Sequence, residues 1–595
     1  MKKLKADHSQ NRGRAENLEK NVVAARPGFW NFRITKARAD RFVNTISALL
    51  VLMVLISGCE TFLDPDSDRL VFPDEYLLNS PKDTVYSMVG ILAQVEKLAD
   101  RYVLLGELRG ELMDLKDDAG LYLREINNFE ISYDNPYNKI TDYYSVINNC
   151  NYLIANIDTA LVTGGEKVLY KIFAATKAIR AWTYMQLALN YQEVKYYEEP
   201  ILSIQDTGNY VVYTMQELFP LLISDLEPWK YEELPGGISL GVDITSDLSF
   251  FPIHFLLGDL YLWTGDYESA ASEYYDLIEE YSYIIDDTYK SLWTVEKGVF
   301  VERKYEEQVW MDKFLLPNPE QITLIAGSAE FGEGADLDSL TWYYNEIVPS
   351  AKAIETWNSQ VYYHTSTINK AGDLRGDYGS YFSPDALSKV ESEISEAADI
   401  DMIDFSSNHI TKFTLMATTT TKAIAIYRVS MLYLRYAEAM NRAGRPNLAF
   451  AVLKNGLNSE TLAEDTIVPR NEKYMVYTDS TGTFYNDVNF EDIVFDDNIG
   501  VHAQGCGNVQ LANDFIIPPL SDLEDSIRFV EDKIIEELAL ETAFEGNRFH
   551  DLMRIAMRRN DPSYLADIVA EKYTDNKDAI HTKLMNEDNW YLPKK

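Results

Sequence analysis

Apolar residues recur every three or four positions over several long stretches, and each such stretch predicts a helix. From Lys167 to Tyr191, residues Ala174, Ala178, Ala181, Tyr184, Met185 and Ala188 keep that spacing. A preceding series from Tyr137 to Ile157, with Tyr144, Ile147, Cys150 and Leu153 on one face, predicts a partner helix for it. Two further segments share one punctuation: an apolar helix, a Gly-containing turn, then a small residue where the next helix crosses. One spans 252–285, with Leu257, Gly258 and Tyr261 before Gly265, Tyr267 and Ala270. The other runs from Leu434 to Asn458, with Tyr436, Ala437, Glu438, Ala439, Gly444 and Ala449. Helix is expected again from Asp522 to Phe549. Between these elements the texture changes. Residues 287–425 are rich in Gly, Ser, Thr and Asn with short apolar runs, and 459–520 contains turn signals at Ser480–Phe484 and Gly505–Gly507. Loops of that length in a folded chain usually carry function.

The order of small and turn residues in the two hairpins is that of a tetratricopeptide repeat, and stacked hairpins build a solenoid-like helical scaffold. A mainly α chain is therefore expected, with helical repeats at 82–286 and 426–595 and a loop-rich region at 287–425 packed on them. The N-terminus reads differently. Lys36, Arg38 and Arg41 precede an apolar run, Ile46 to Ile56. As a helix it would reach only about 16 Å, half a bilayer core, so it reads as the apolar part of an export signal. Ser57, Gly58 and Cys59 follow it, an apolar–small–small–Cys order resembling a bacterial lipobox. Residues 1–58 are then a leader with a long basic front, Cys59 is the lipidated mature N-terminus, and 59–81 is a polar tether.

Charge narrows the partners. The 595 residues carry 54 Lys and Arg against 94 Asp and Glu, a formal charge of −40. Nucleic-acid binding needs Lys and Arg to displace counterions, so that class is excluded, and an anionic membrane surface is no electrostatic partner either. Anchoring falls to acyl chains. Cys59, Cys150 and Cys506 are too few for a disulfide framework or a four-cysteine zinc site. The seven histidines form no His-x-x-x-His pair, and no phosphate loop, dinucleotide fingerprint or nucleophile elbow occurs. A glycosidase needs only two suitably spaced carboxylates and stays open as an alternative. No cofactor is called for. Acidic clusters at Asp114–Asp118 and Asp496–Asn498 keep structural calcium open. Aromatics make up 12% of the chain, with 40 Tyr. A flat apolar face with a polar edge suits sugar rings and interfaces. Within the loop-rich region Trp293, Trp342, Tyr343, Trp357 and Tyr378 are the candidate ligand platform, drawn from a larger set that includes Trp310, Tyr344, Tyr362, Tyr363 and Tyr381.

Five segments together resemble the SusD/RagB family of outer-membrane nutrient-binding lipoproteins of Bacteroidetes. They are Phe62–Pro65 after the lipobox, the helix at Tyr143–Leu153, the stretch Ala174–Gln192 with Arg180, Ala181 and Tyr184, the stretch Ile426–Asn441 with Arg428 and Glu438, and Phe544–Arg554. The last, FEGNRFHDLMR, is the most specific. Ala175, Thr176 and Met431 depart from the usual pattern. Within the last segment Glu545, Arg548, Asp551 and Arg554 are expected to form a structural ion-pair network around Gly546. The resemblance implies a tetratricopeptide-type scaffold with a loop-rich binding face, lipid-anchored at the outer membrane, its outer face favoured by Glu60, Asp64, Asp66 and Asp68. It further implies a SusC-like TonB-dependent transporter as partner, an oligosaccharide as cargo, and no bond chemistry. Peptide capture by a lipoprotein of the same type, and a surface glycoside hydrolase, are the alternatives.

Overall fold

The long helices form where small residues let backbones approach. The computed structural model describes residues 81–162, 164–203, 205, 208–237, 245–296, 299–300, 307–328, 334–365, 368–397, 403–417, 421–479 and 482–594. The leader, Cys59 and nearly all of the tether lie outside these residues. Two helices, α1 (Pro81–Glu96) and α2 (Ala99–Glu107), lead to the antiparallel pair α3 (Ile140–Asn156) and α4 (Tyr170–Tyr191). Every residue of α4 from Ala178 to Tyr191 is buried. A helix enclosed on all sides must satisfy its polar groups internally, and Arg180 does so against Asn151 (2.8 Å) and Asp225 (2.6 Å).

The two punctuated segments are helical hairpins: α5 (Ile253–Thr264) with α6 (Tyr267–Tyr281), and α8 (Val429–Arg442) with α9 (Pro446–Lys454). A Cβ on Gly258 would lie 2.4 Å from the Tyr274 ring, so glycine is what lets α6 close on α5. Gly265 ends α5 in the left-handed conformation at φ 83°. Asp266 then caps α6 by accepting the Ser269 N–H (3.3 Å). Helix α6 packs on α8, and α8 on α10 (Leu523–Glu541), so the two hairpins share one core.

The intervening region contains short elements. Strand β2 (Gln321–Ser328) pairs antiparallel with β5 (Thr421–Arg428), Ile325 opposite Ile424, and β5 runs directly into α8. Strand β1 (Met113–Leu115) pairs antiparallel with β3 (Ile347–Pro349), which leads into α7 (Ala351–Ser359), while β4 (His409–Ile410) pairs with Tyr381–Phe382. A hairpin of β6 (Tyr474–Asp479) and β7 (Gly482–Asp487) brackets the expected turn, whose residues 480–481 are outside those described.

The helix expected from Asp522 to Phe549 is broken. Helix α10 ends at Glu541, the chain turns through Phe544 (φ 72°) and Gly546 (φ 94°), and α11 (Arg548–Arg559) starts afresh before α12 (Pro562–Ala570). The cause lies far away in sequence. The buried carboxylate of Glu107, on α2, accepts the N–H groups of Phe544 (3.1 Å), Gly546 (2.8 Å), Asn547 (3.1 Å) and Arg548 (3.3 Å). It thereby caps α11 from outside its own segment. Burial pushes its pKa up to about 7 against the lowering effect of those donors.

Candidate functional site

The charged residues of the family-like segments face inward. Arg428 holds Glu545 through Nε (2.8 Å) and Nη2 (2.8 Å), and Lys412 Nζ lies 2.6 Å from the same carboxylate. Glu438 accepts from Arg554 through Nε (2.9 Å) and Nη2 (2.7 Å), and from Arg558 (2.8 Å). Of the network expected among Glu545, Arg548, Asp551 and Arg554, only Asp551 and Arg554 pair with each other (3.0 Å). Glu545 turns to Arg428, and Arg548 turns to Glu111 (Nε to Oε1, 2.8 Å). Burial alone would raise the Glu438 and Glu545 carboxyls, but the guanidinium of Arg554 and that of Arg428, respectively, hold them below the usual range. These groups are almost completely buried and each faces a protein partner, so they fix geometry.

The expected aromatic platform is also interior, a correction to the sequence reading. Trp342 and Tyr378 belong to one core cluster with Phe382 and Leu387, and Tyr343 is half-buried against it. Trp293 packs in a second cluster with Tyr362, Leu374 and Cys506. Trp357, 1% exposed, donates its indole N–H to the Leu540 carbonyl (3.1 Å) and meets Phe544 edge-on at 5.8 Å. The reason is geometric. Apart from the helix Pro384–Ala397, which supplies Leu387 and Val390, the described elements of this region are two to nine residues long, so much of its core is filled by the side chains with the largest apolar area.

The ring that faces solvent is the next in the run. Strand β1 ends opposite the start of β3, Leu115 against Ile347, so the loop after β1 and the loop before β3 emerge side by side. Glu346 ties them, its carbonyl accepting the Lys116 N–H (3.0 Å) and its carboxylate the Gly120 N–H (2.6 Å). Tyr344, two residues before Glu346, is 66% exposed, and Leu121, which opens the short helix Leu121–Asn127 directly after Gly120, is 68%. Tyr122, Asp117 and Asp118, flanking Gly120 and Leu121 along the chain, are exposed as well. A third loop joins through Asp404, whose carboxylate meets Lys116 Nζ (2.8 Å). That ammonium and the Ser406 donors hold the Asp404 carboxyl well below its ordinary value.

Tyr344 is aimed outward by its neighbour Asn345, buried and in the left-handed conformation (φ 49°). His409 Nε2 lies 2.9 Å from the Asp404 carbonyl, which only accepts, so Nε2 carries the proton. Asn345 therefore presents its oxygen to His409 Nε2 (3.1 Å) and its NH2 to the carbonyls of Asn408 (3.2 Å) and Thr341 (3.3 Å). Burial lowers the His409 pKa, which keeps this pairing neutral. The result is an open face of rings and carboxylates held by a rigid underlayer, suited to reversible binding of a polar ligand with apolar patches. Sequence reasoning placed Tyr344 in its wider set and passed over Leu121 and Tyr122. The signals were present: in Trp342-Tyr343-Tyr344 consecutive rings cannot all face one core, and Leu121 and Tyr122 are out of phase with Leu123 and Ile126, which turn inward.

Among the described residues, His254, Glu273 and Asp276 bring potential metal-ligating atoms within 4.8 Å of one another. Lys230 Nζ already stands 2.7 Å from Glu273, supplying the positive charge that this group calls for. Asp114 in the first acidic cluster bonds the Leu115 N–H, and Asn498 in the second is buried and donates to the Leu457 carbonyl. No described helix is long and apolar enough to cross a membrane.

No family model matches the chain. A curated relative, the SusD-like protein P2 of Formosa agariphila, is 22% identical over 349 residues, covering 55% of this chain and 65% of the relative; the match thus spans just under two thirds of that protein. A SusD superfamily protein from Bacteroides thetaiotaomicron superposes with a TM-score of 0.52 at 15% identity, over 86% of this chain and 97% of the other. A laminarin-binding SusD-like protein superposes with a TM-score of 0.50 at 16% identity, over 86% and 95%. This mainly helical chain, with its paired hairpins and the loop-rich face they carry, has the fold of the SusD superfamily.

Proposed function

We propose that this protein is a cell-surface lipoprotein, anchored through Cys59, that binds an oligosaccharide on the face around Tyr344 and Tyr122. It passes that cargo to a SusC-like TonB-dependent outer-membrane transporter and performs no bond chemistry. The observation that carries the binding role is the outward Tyr344 ring on a loop pinned by Asn345, beside Tyr122 and exposed carboxylates, on a fold shared with a laminarin-binding protein. Rings stack on the apolar face of a sugar, and carboxylates accept from its hydroxyls. An open face of this kind binds with dissociation constants of roughly 10 μM to 1 mM, about −7 to −4 kcal/mol. The transporter role is supported by the lipobox and by the resemblance of the five segments.

The test is an array of plant, microbial and host polysaccharides, with a peptide mixture alongside and product analysis of each hit, comparing wild type with Tyr344→Ala and Tyr122→Ala. Selective glycan retention without cleavage, weakened at least tenfold in either variant, is expected. Unchanged retention in both variants would remove the face; cleavage would overturn the non-catalytic reading, and peptide-only binding the choice of ligand.

A further inference from the structure

A cleft of about 430 Å³ opens between α7, α10 and α12, at the other end of the β1–β3 ribbon from the Tyr344 loop. Its volume falls within the roughly 300–1,000 Å³ of small-molecule sites. The ion pair of Glu111 and Arg548 lines it. Both are more than nine-tenths buried. Glu111 Oε1 takes Arg548 Nε (2.8 Å), while the guanidinium also donates to the Ile535 carbonyl (2.8 Å). Glu111 Oε2 is buried and accepts no hydrogen bond from the protein. A buried carboxylate oxygen left without a donor is costly, and a donor supplied from the cleft would satisfy it.

The walls indicate what that donor belongs to. Each carboxylate around the cleft is ion-paired: Glu355 with Lys352 (3.0 Å), Asp532 with Arg559 (2.7 Å), which it shares with Glu531 (2.7 Å), Glu536 with Lys533 (2.7 Å), and Glu111 with Arg548. Two of these cations, Lys533 and Arg559, stand beside the lining and not in it, so the cleft holds no surplus positive charge to attract an anion. What remains is hydrogen-bonding capacity at Thr356, Ser359 and Gln360, interleaved with the apolar surface of Ile535, Ala539 and Ile568. Tyr564 adds a ring whose one face carries the Arg559 guanidinium at 4.4 Å. Alternating hydroxyl-matching and apolar surface whose carboxylates are already ion-paired fits a polyhydroxylated ring.

We infer that this cleft is a second saccharide site, taking one neutral sugar unit whose hydroxyl donates to Glu111 Oε2. The inference rests on the glycan reading for the class of ligand, but not on the Tyr344 face. The test uses the full chain in a non-glycosidic detergent and saturation-transfer NMR. The probes are the methyl glycosides of glucose, galactose, mannose and xylose, with glucuronate and glucosamine as charged counterparts. Variants are Glu111→Gln, Ser359→Trp at the exposed rim, and the Tyr122→Ala/Tyr344→Ala pair.

The expected result is saturation transfer to at least one neutral glycoside, weakened at least tenfold by both cleft variants, unchanged in the tyrosine pair, and absent for glucuronate and glucosamine. Ser359→Trp keeps the test decisive if Glu111→Gln lowers stability, because its side chain starts at the surface. A signal that survives Ser359→Trp overturns the cleft. Equal transfer to the charged sugars overturns its selectivity. If no monosaccharide binds while polysaccharides still bind through Tyr344, the cleft fails and the proposed function stands; if no saccharide binds in either format, both fail.

Discussion

Replacing Glu438 with Gln tests whether the buried charges are scaffold or site. The carboxylate is fully buried and accepts three charge-assisted hydrogen bonds, two from Arg554 and one from Arg558, with Arg435 Nη1 at 3.6 Å. Glutamine has the same shape but one acceptor oxygen and no charge, and its NH2 would be pressed against a guanidinium. Removing one partner of a buried ion pair costs about 3–5 kcal/mol because the other charge is left uncompensated. The variant should therefore unfold at lower urea by that amount at pH 7, followed by tryptophan fluorescence. Its pH dependence has a definite sign. The Glu438 carboxyl is held below its ordinary value of 4.5 by Arg554 and Arg558, against the upward push of burial. A depressed carboxyl adds stability that is present above the unfolded-state pKa and lost as pH falls through the folded-state value. The gap between wild type and Glu438→Gln should accordingly be full above about pH 5 and shrink as pH falls further. A gap under about 1 kcal/mol at pH 7, or one that stays constant into acid, would refute the assignment of these residues to the scaffold.

Adding one methyl at Gly106, whose Cβ would stand 1.8 Å from the Gly546 carbonyl oxygen, should lower stability by about 1–3 kcal/mol or more in thermal unfolding. Gly546→Ala should do the same, since its φ of 94° disfavours any side chain and a Cβ would lie 2.6 Å from the Tyr102 ring. Tyr344→Ala should leave thermal stability within about 0.5 kcal/mol, so that any lost binding reports a ligand contact. Cys150 and Cys506 are buried, and burial pushes the Cys150 thiol up to about 12, so both should stay silent to a thiol reagent at pH 8 and react only on unfolding.

What could be read along the chain was what neighbours in sequence decide. The pair at Tyr137–Ile157 and Lys167–Tyr191 stands as α3 and α4, shifted by three residues at each N-terminus, because a repeating apolar spacing is local information. The hairpin turn at Gly265 was legible for the same reason. The break between Glu541 and Arg548 was not, because its determinant, Glu107, lies 437 residues upstream of Phe544. The partners of the charged signature escaped likewise: Arg428 meets Glu545 and Arg548 meets Glu111 only once distant helices have packed. The aromatic residues failed for another reason. Composition shows that Trp357 is large and amphipathic, properties shared by a core residue and a sugar platform, and only burial separates the two. Tyr344 and Trp342, two residues apart, fall on opposite sides of that division.

That division also explains how one scaffold can present a variable face. The ion pairs at Arg428, Glu438 and Arg548 tie helices to one another and touch no exposed ring of the Tyr344 loop. The loop is instead held by a small local set: the Asn345 amide on His409, the Glu346 carboxylate on the Gly120 N–H, and the two-strand ribbon of β1 and β3. Those anchors use backbone groups, the buried side chains of Asn345 and His409 and the half-buried Glu346, and leave Tyr344, Leu121 and Tyr122 without a structural duty. Substitutions at the three exposed positions cost the fold little, whereas the same changes one residue further on, at Asn345, remove the amide that ties His409 to the Asn408 and Thr341 carbonyls. The residues of this face can thus change by surface substitution while the helical core stays unchanged.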